Sequence, residues 1–192
     1  TANAIKYTEP ININTSTVIY ASLFKDGKPI GIPFESKIEF HKGVGKKVTF
    51  KEKYSDSYQG EGEFGLVNIL RGTKNFHDGH WQAWLSKDME AVIDLGEETN
   101  VKEVTLGTME NQGPGIYFPT AVTVYVSNDG KKYKKVGVHK RAYAKNPASS
   151  LKDFKISFDE QSVRYVKVIA ESLKNRPNGG YGWLFVDEIL ID

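Results

Sequence analysis

NILRGTKNFHDGHWQAW, residues 68–84, is followed a few residues later by EAVIDLG, residues 90–96. The first segment is rich in glycine and in oxygen-bearing side chains and contains two tryptophans, whereas the second is a short apolar run that ends at glycine. A run of the second kind is typical of a buried strand. Because a rigid β-scaffold commonly presents ligand-contacting residues on loops beside its strands, these segments predict a binding protein rather than a catalyst.

The strand pattern continues through the rest of the chain. Residues 122–126 alternate valine with threonine and tyrosine, and Val166 and Val168 enclose Lys167. Runs of this kind are short and are separated by Gly, Pro, Asn and Asp, which are turn residues. No stretch of the sequence carries the sustained apolar stripe of an amphipathic helix. The pattern predicts an all-β fold, specifically an antiparallel β-sandwich.

Composition excludes several classes of function. Lys and Arg number 26 against 24 for Asp and Glu, and the resulting net charge of +2 is too balanced for a nucleic-acid-binding surface. The absence of cysteine excludes disulfide scaffolds, thiolate zinc sites and cysteine nucleophiles. No apolar run approaches the ~20 residues of a membrane-spanning helix. We therefore expect no nucleic acid partner and no membrane span.

Two structural units are expected, residues 1–40 and residues 41–192. The first contains a strand and then a hairpin around Asp26-Gly27, a dipeptide that favours tight β-turns. The segment HKGVGKK, residues 41–47, interrupts the strand pattern with two glycines and three lysines and marks the boundary. At about 40 residues, the first unit is near the lower size limit for folding alone without disulfides or metal.

A catalytic role has little support in the sequence. Two histidines and a carboxylate crowd together only at His77-Asp78-Gly79-His80, where no third histidine or cysteine is placed to complete a zinc site. The pairs Glu61/Glu63 and Glu97/Glu98 could supply the acid and base of a glycosidase, which act at separations of roughly 5 to 9.5 Å. These pairs lie in turn-like segments, however, and no nucleophile elbow is present. Zinc binding and hydrolysis stay as alternatives, and we expect the chain not to be an enzyme.

Three segments have the side chains that a sugar site needs. A sugar presents an apolar face and a ring of hydroxyls, so its site combines an exposed aromatic platform with a few planar hydrogen-bonding groups. We expect Trp81 to be a core residue, whereas Tyr181 and Trp183 lie among three glycines and are expected to be exposed platforms. The candidate carbohydrate-binding residues are Gln82, Trp84, Glu110, Asn111, Tyr117, Tyr181 and Trp183.

The order and spacing of several short motifs resemble one known family. These motifs are the Arg71-Gly72-Thr73 turn, Trp81 and Trp84, VIDLG at 92–96, VYVSNDG at 124–130 and FVDEI at 185–189. Together, over residues 41–192, they resemble the discoidin or coagulation-factor type C domain, also called the family 32 carbohydrate-binding module, in the form attached to bacterial β-hexosaminidases. The resemblance implies a galactose-binding-like jelly roll in which the three candidate segments gather at one end. Residues 1–40 resemble the latter half of the small immunoglobulin-like domain at the C-terminus of chitobiases and β-hexosaminidases.

The resemblance implies a function as well as a fold. It implies a non-catalytic carbohydrate-binding accessory region of a secreted or periplasmic bacterial β-hexosaminidase or chitobiase, whose parent enzyme is a glycoside hydrolase. The sequence begins at Thr1 without a signal-peptide pattern, from which we expect a fragment of that longer protein. The implied partners are host or dietary oligosaccharides and the parent catalytic domain. An alternative is a structural or protein-interaction module that packs on the catalytic domain without binding sugar.

Two departures from the family pattern limit what can be carried over. Galactose-binding members place a histidine near the position of Gln82, an arginine near Asn111 and an asparagine near Ile116, so galactose specificity is not implied. Members also hold a structural calcium ion beneath the first loop, through backbone carbonyls, an aspartate and a glutamate on the last strand. The corresponding metal ligands here are Asn68, Arg71, Thr73 and Glu188. The family's Asp-Gly is replaced by Asn68-Ile69, and the loss of one carboxylate lowers the expected calcium affinity.

Overall fold

In the part of the chain that the structure describes, the strands form two antiparallel sheets. A computed structural model describes residues 4–192, and in these residues β1 (Thr17–Lys25) and β2 (Lys28–Ile38) form a two-stranded sheet. The remaining seven strands form a second sheet. They are β3 (Lys47–Phe50), β4 (Gln82–Leu85), β5 (Met89–Glu110), β6 (Ala121–Ser127), β7 (Lys134–Lys140), β8 (Ser150–Glu171) and β9 (Trp183–Ile191). A short 3-10 helix, Gly62–Phe64, lies between β3 and β4.

The larger sheet folds over itself because β5 and β8 each take part in both of its layers. Residues 89–94 of β5 pair with β3 and with residues 165–170 of β8, which in turn pair with β6. After register shifts between Asp94 and Glu103, residues 104–109 of β5 pair with β9 and with residues 151–156 of β8. Two layers that share long bent strands enclose a core between them. The predicted antiparallel β-sandwich is therefore confirmed.

The main core is built by alternation along these strands. Met89, Ala91, Ile93 and Leu95 are buried on β5, and the residues between them are half-buried. This is the inward and outward alternation that a strand with one core-facing side requires. A smaller cluster consists of Trp81, Ala83, Met109, Ile116 and Phe185, with Tyr58, Phe76 and Trp183 packed against it.

The chain divides into two compact units between Phe40 and His41. In the first unit, β1 and β2 are joined by Asp26 and Gly27, whose φ angles of 51° and 74° give the tight hairpin turn that this dipeptide predicts. Side chains such as Tyr20, Leu23 and Ile32 are exposed on this hairpin. The resemblance of the unit to an immunoglobulin-like domain stays a prediction.

Candidate binding site

Trp84 is a core residue, so its prediction as a sugar platform is wrong. The short strand β4 pairs with β9, with Trp84 opposite Leu184, and this pairing directs the indole into the sandwich. The ring is 1% exposed and lies edge-on to Tyr54, with ring centroids 6.3 Å apart. Its Nε1 donates a hydrogen bond to the carbonyl oxygen of Glu52 at 2.9 Å, which satisfies the only polar atom of the side chain.

Gln82 is also unavailable to ligand. Its side chain is fully buried, and Nε2 donates to the carbonyl oxygens of Gln59 and Gly62 at 3.0 and 2.6 Å. These bonds tie the segment around the 3-10 helix to β4, so Gln82 has a structural role. The sequence alone did not show that β4 begins at Gln82, so that this residue belongs to a strand and not to the preceding loop.

Trp81 is buried, as predicted. It is 2% exposed and belongs to the smaller core cluster, and its Nε1 donates to the carbonyl oxygen of Thr73 at 3.1 Å. Gly72 passes directly over the indole, where an added Cβ would lie 2.2 Å from the ring. The Arg71-Gly72-Thr73 turn therefore requires glycine because of this close approach.

The second and third candidate segments do meet. Arg176 donates from Nε to the carbonyl oxygen of Tyr181 and from Nη2 to that of Pro114, both at 2.6 Å. The backbone N–H of Trp183 donates to Gly115, and the N–H of Tyr117 donates to Trp183, both at 2.9 Å. These bonds join the loop between β5 and β6 to the loop between β8 and β9.

A further segment, between β7 and β8, completes the arrangement. Gln112 Oε1 accepts hydrogen bonds from the Tyr143 hydroxyl at 3.2 Å and from the Asn146 backbone N–H at 3.1 Å. Its Nε2 donates to the carbonyl oxygen of Ala144 at 2.8 Å. Sequence reasoning missed this segment, because RAYAKNPASS, residues 141–150, lacks the glycine-rich signal by which the other loops were recognised.

The three segments enclose an open cleft of about 370 Å³. Its lining residues are Gln112, Tyr117, Tyr143, Lys145, Pro177 and Asn178. The rings of Tyr117 and Tyr143 are edge-on, with centroids 6.0 Å apart. Burial raises the pKa of the Tyr117 phenol. A phenol hydroxyl can both donate and accept hydrogen bonds.

Glu110 lies beneath this network and is not exposed to ligand in solution. It is 1% exposed; Oε2 accepts from Asn146 Nδ2 at 3.2 Å, and Oε1 lies 3.8 Å from a guanidinium nitrogen of Arg141. Asn111 is half-buried and forms a backbone bridge with Ile116. Glu110 thus supports the cleft through Asn146, whereas it was predicted to contact sugar directly.

The two predicted aromatic platforms differ. Tyr181 is 65% exposed, as predicted. Trp183 is half-buried and packs edge-on against Tyr58, with centroids 5.4 Å apart, so most of its ring serves the smaller core cluster. A second, smaller cleft of about 180 Å³ lies beside this cluster and is lined by Tyr58, Phe76, His77 and neighbouring residues.

The two histidines considered as zinc ligands, His77 and His80, contact different residues. The His77 ring stacks on Tyr58 with centroids 5.9 Å apart, whereas His80 Nδ1 pairs with Glu61. Asp78, between them, accepts from the N–H and hydroxyl of Thr73 at 2.6 and 2.7 Å. Among residues 4–192, no three His, Cys, Asp or Glu side chains are grouped so that they could hold a metal ion.

The predicted calcium ligands have other hydrogen-bonding roles. Asn68 Oδ1 accepts from the N–H of Leu70 at 2.9 Å, and the Thr73 hydroxyl donates to Asp78. Glu188 accepts from His41 Nε2 at 2.9 Å and from the backbone N–H of Ile69 at 3.1 Å. Calcium is bound by oxygen atoms, whereas Glu188 is faced by N–H donors, so this arrangement does not fit the ion.

Arg71, the remaining predicted ligand, is a cation with no oxygen to offer a metal. Its guanidinium donates to Asp187 at 2.9 Å and pairs with Asp153. Burial lowers the pKa of Arg71, but the two carboxylates outweigh that effect and raise it above its ordinary value. Burial raises the pKa of Asp187. Arg71 and the hydrogen bond from the Gly72 N–H lower this pKa but do not cancel the effect of burial.

Comparison with known proteins identifies the family to which this chain belongs. The model of the F5/8 type C domain matches residues 51–189, which is most of the chain. The chain belongs to the F5/8 type C domain family. No curated protein sequence matches it.

Several solved structures are similar to this chain at low sequence identity. A fucolectin from striped bass (Morone saxatilis) serum is 19% identical with a TM-score of 0.52, over 79% of this chain and 47% of that one. Chitosan-binding module 2 of a Paenibacillus sp. IK-5 chitosanase/glucanase, in complex with chitotriose, is 18% identical with a TM-score of 0.50, over 78% and 98%. A Clostridium perfringens module, CpGH89CBM32-5, in complex with GalNAc-β-1,3-galactose, is 17% identical with a TM-score of 0.48, over 76% and 93%.

One further structural test concerns membranes. Within residues 4–192, no helix has the length and apolar character needed to cross a bilayer.

Proposed function

We propose that the chain is a non-catalytic carbohydrate-binding module and that the cleft lined by Tyr117 and Tyr143 holds the glycan. The cleft itself is the observation that carries this proposal. It combines the exposed phenol ring of Tyr143 and the largely buried ring of Tyr117, which is 4% exposed, with the amide groups of Gln112 and Asn178 and the amine of Lys145. Such a mixture suits a sugar, because ring C–H groups pack on aromatic carbon while hydroxyls need planar donors and acceptors.

The cleft is also well supported from below. Gln112 is held by Tyr143, Ala144 and Asn146, and Asn146 is held by Glu110. A binding side chain that is fixed before the ligand arrives loses less rotamer freedom on binding. The family membership supports the same class of function, since the chitosan-binding module in complex with chitotriose has this fold.

We extend the proposal to the parent protein. The chain would be an accessory region of a secreted or periplasmic bacterial β-hexosaminidase or chitobiase and would bind host or dietary oligosaccharides. A module of this kind raises the local concentration of its catalytic domain on a polymeric glycan, because the second contact becomes intramolecular. The module itself would hydrolyse no glycoside.

Glycan binding by the purified chain tests the proposal. We expect Tyr143→Ala and Asn178→Ala each to weaken binding on a glycan array and in calorimetry, by roughly ten- to hundredfold for the ring, which corresponds to about 1 to 3 kcal/mol. Phe64→Ala is the control, because Phe64 is 50% exposed but does not line the cleft. Equal weakening by Phe64→Ala, or unchanged binding in both cleft variants, would place the glycan elsewhere.

The alternative, a structural or protein-interaction module, is favoured by one observation. Gln82 and Trp84, which were expected to form the first part of the sugar site, are both buried in the sandwich. If no glycan on a broad array binds the folded chain, this alternative becomes the better account.

A further inference from the structure

The Glu188 carboxylate is enclosed within the second unit. Its side chain has no exposed surface, and that of His41 is 1% exposed. Oε1 accepts from His41 Nε2 at 2.9 Å and from the Ile69 N–H at 3.1 Å, and Oε2 accepts from the Asn68 N–H at 3.4 Å. A buried carboxylate is costly unless hydrogen bonds satisfy it, and here three protein donors do so.

The hydrogen bonds of His41 also fix which ring nitrogen carries the proton. Nδ1 faces two backbone donors, the N–H of Gly43 at 3.1 Å and the N–H of Ile191 at 3.3 Å. A nitrogen that accepts hydrogen bonds has no proton of its own, so the proton is on Nε2, which donates to Glu188. A neutral imidazole is therefore sufficient, and the ring connects Glu188 to the backbone of β9 and to the start of the unit.

The loop is turned so that its N–H groups, rather than its carbonyl oxygens, face the carboxylate. Ile69 has a φ of 65°, in the left-handed region that a β-branched residue rarely adopts. Such a conformation persists only where surrounding interactions favour it, and the Ile69 N–H is bonded to Glu188. Asp187, which precedes Glu188 on β9, is likewise bound by protein donors, the Arg71 guanidinium and the Gly72 N–H, each at 2.9 Å.

We infer that hydrogen-bond donors of the protein take the structural role that the resemblance assigned to a calcium ion. These donors are the His41 ring, the Arg71 guanidinium and the backbone N–H groups of Asn68, Ile69 and Gly72. They hold residues 68–72 against β9 through its two adjacent carboxylates, with no metal ion. This inference is independent of the glycan site and is an alternative to the structural calcium ion that the resemblance implied.

Calcium dependence of the intact chain tests this inference directly. A folded-state metal site adds stability as free metal rises above its dissociation constant. We expect the same thermal midpoint in millimolar calcium and in chelator, and no retained calcium in equilibrium dialysis. A midpoint that rises with calcium concentration, or one bound ion per chain, would overturn the inference.

Substitution of His41 provides the second arm. His41→Ala removes the donor and leaves Glu188 buried with fewer partners, and we expect a fall in the midpoint of roughly 5 to 10 °C, equal with and without calcium. Lys42→Ala, at the exposed neighbouring residue, is the matched control and should change little. An unchanged midpoint for His41→Ala would refute the role of the histidine. If that variant does not fold, dialysis of the unsubstituted chain still decides the question.

Discussion

Gly115 lies where the loop between β5 and β6 passes under the side chain of Arg176. Its φ of 92° is in the region that favours glycine, and an added Cβ would lie 2.1 Å from the guanidinium carbon. The guanidinium joins the two loops through Pro114 and Tyr181, so any side chain at residue 115 must displace it. At the residue scale, the cleft therefore depends on a residue that does not line it.

We predict that Gly115→Ala destabilises the protein more than Gly179→Ala and also weakens glycan binding. Gly179 has nearly the same φ, 91°, but nothing lies within 4 Å of its added Cβ. Both variants incur the left-handed backbone cost of roughly 1–2 kcal/mol, and only Gly115→Ala adds a steric clash, which typically costs about 1–3 kcal/mol more. Urea unfolding measures the difference. Equal free energies of unfolding for the two variants would show that Arg176 moves aside freely.

At the scale of elements, β4 decides how the first candidate segment is used. The strand has four residues, and its pairing with β9 places Ala83 opposite Phe185 and Trp84 opposite Leu184. Burial on both faces follows, because one side packs in the main core and the other in the smaller cluster. A tryptophan in a glycine-rich stretch is therefore a core residue here, although its sequence context favoured a binding loop.

We predict that Trp84→Ala lowers the free energy of unfolding by about 3–5 kcal/mol, as removal of a buried aromatic ring does. Tyr181→Ala is the comparison, because Tyr181 is 65% exposed and its removal should change stability by less than about 0.5 kcal/mol. Chemical denaturation followed by fluorescence of the remaining tryptophans measures both. A small effect of Trp84→Ala would mean that the indole is not held in the core.

The elements that the sequence predicted well are those with strictly local signals. Residues 89–95 show their burial in the alternation of the sequence itself, and the Asp26-Gly27 turn requires only two residues. Of the predicted sugar-site residues, Tyr117 lines the proposed cleft, whereas Tyr143 and Lys145 were missed because they lie in a segment without a recognisable motif. The contact between Gln112 and Tyr143 spans 31 residues, and no local pattern encodes it.

At the scale of the whole molecule, a long-range contact bears both on the proposed replacement of calcium and on where the second unit begins. His41 and Glu188 are 147 residues apart, so the sequence showed a glutamate at the expected metal position but not the histidine that bonds to it. His41 is also the first residue of the second unit. The boundary segment, which the sequence marked by its glycines and lysines, therefore contributes a buried side chain to the sandwich.

The last prediction concerns the two units as separate chains. Residues 41–192 contain both core clusters, so we expect this fragment to be folded and to unfold in one cooperative transition. The described part of the first unit has one two-stranded sheet, with Leu23 72% and Ile32 95% exposed. A single hairpin is at best marginally stable in water, so a peptide of residues 1–40 should lack a stable strand signal in circular dichroism. As a control for the role of His41, a fragment that begins at Lys42 should have a lower thermal midpoint than the one that begins at His41. A cooperative thermal transition in the 1–40 peptide would show instead that this unit is stable by itself.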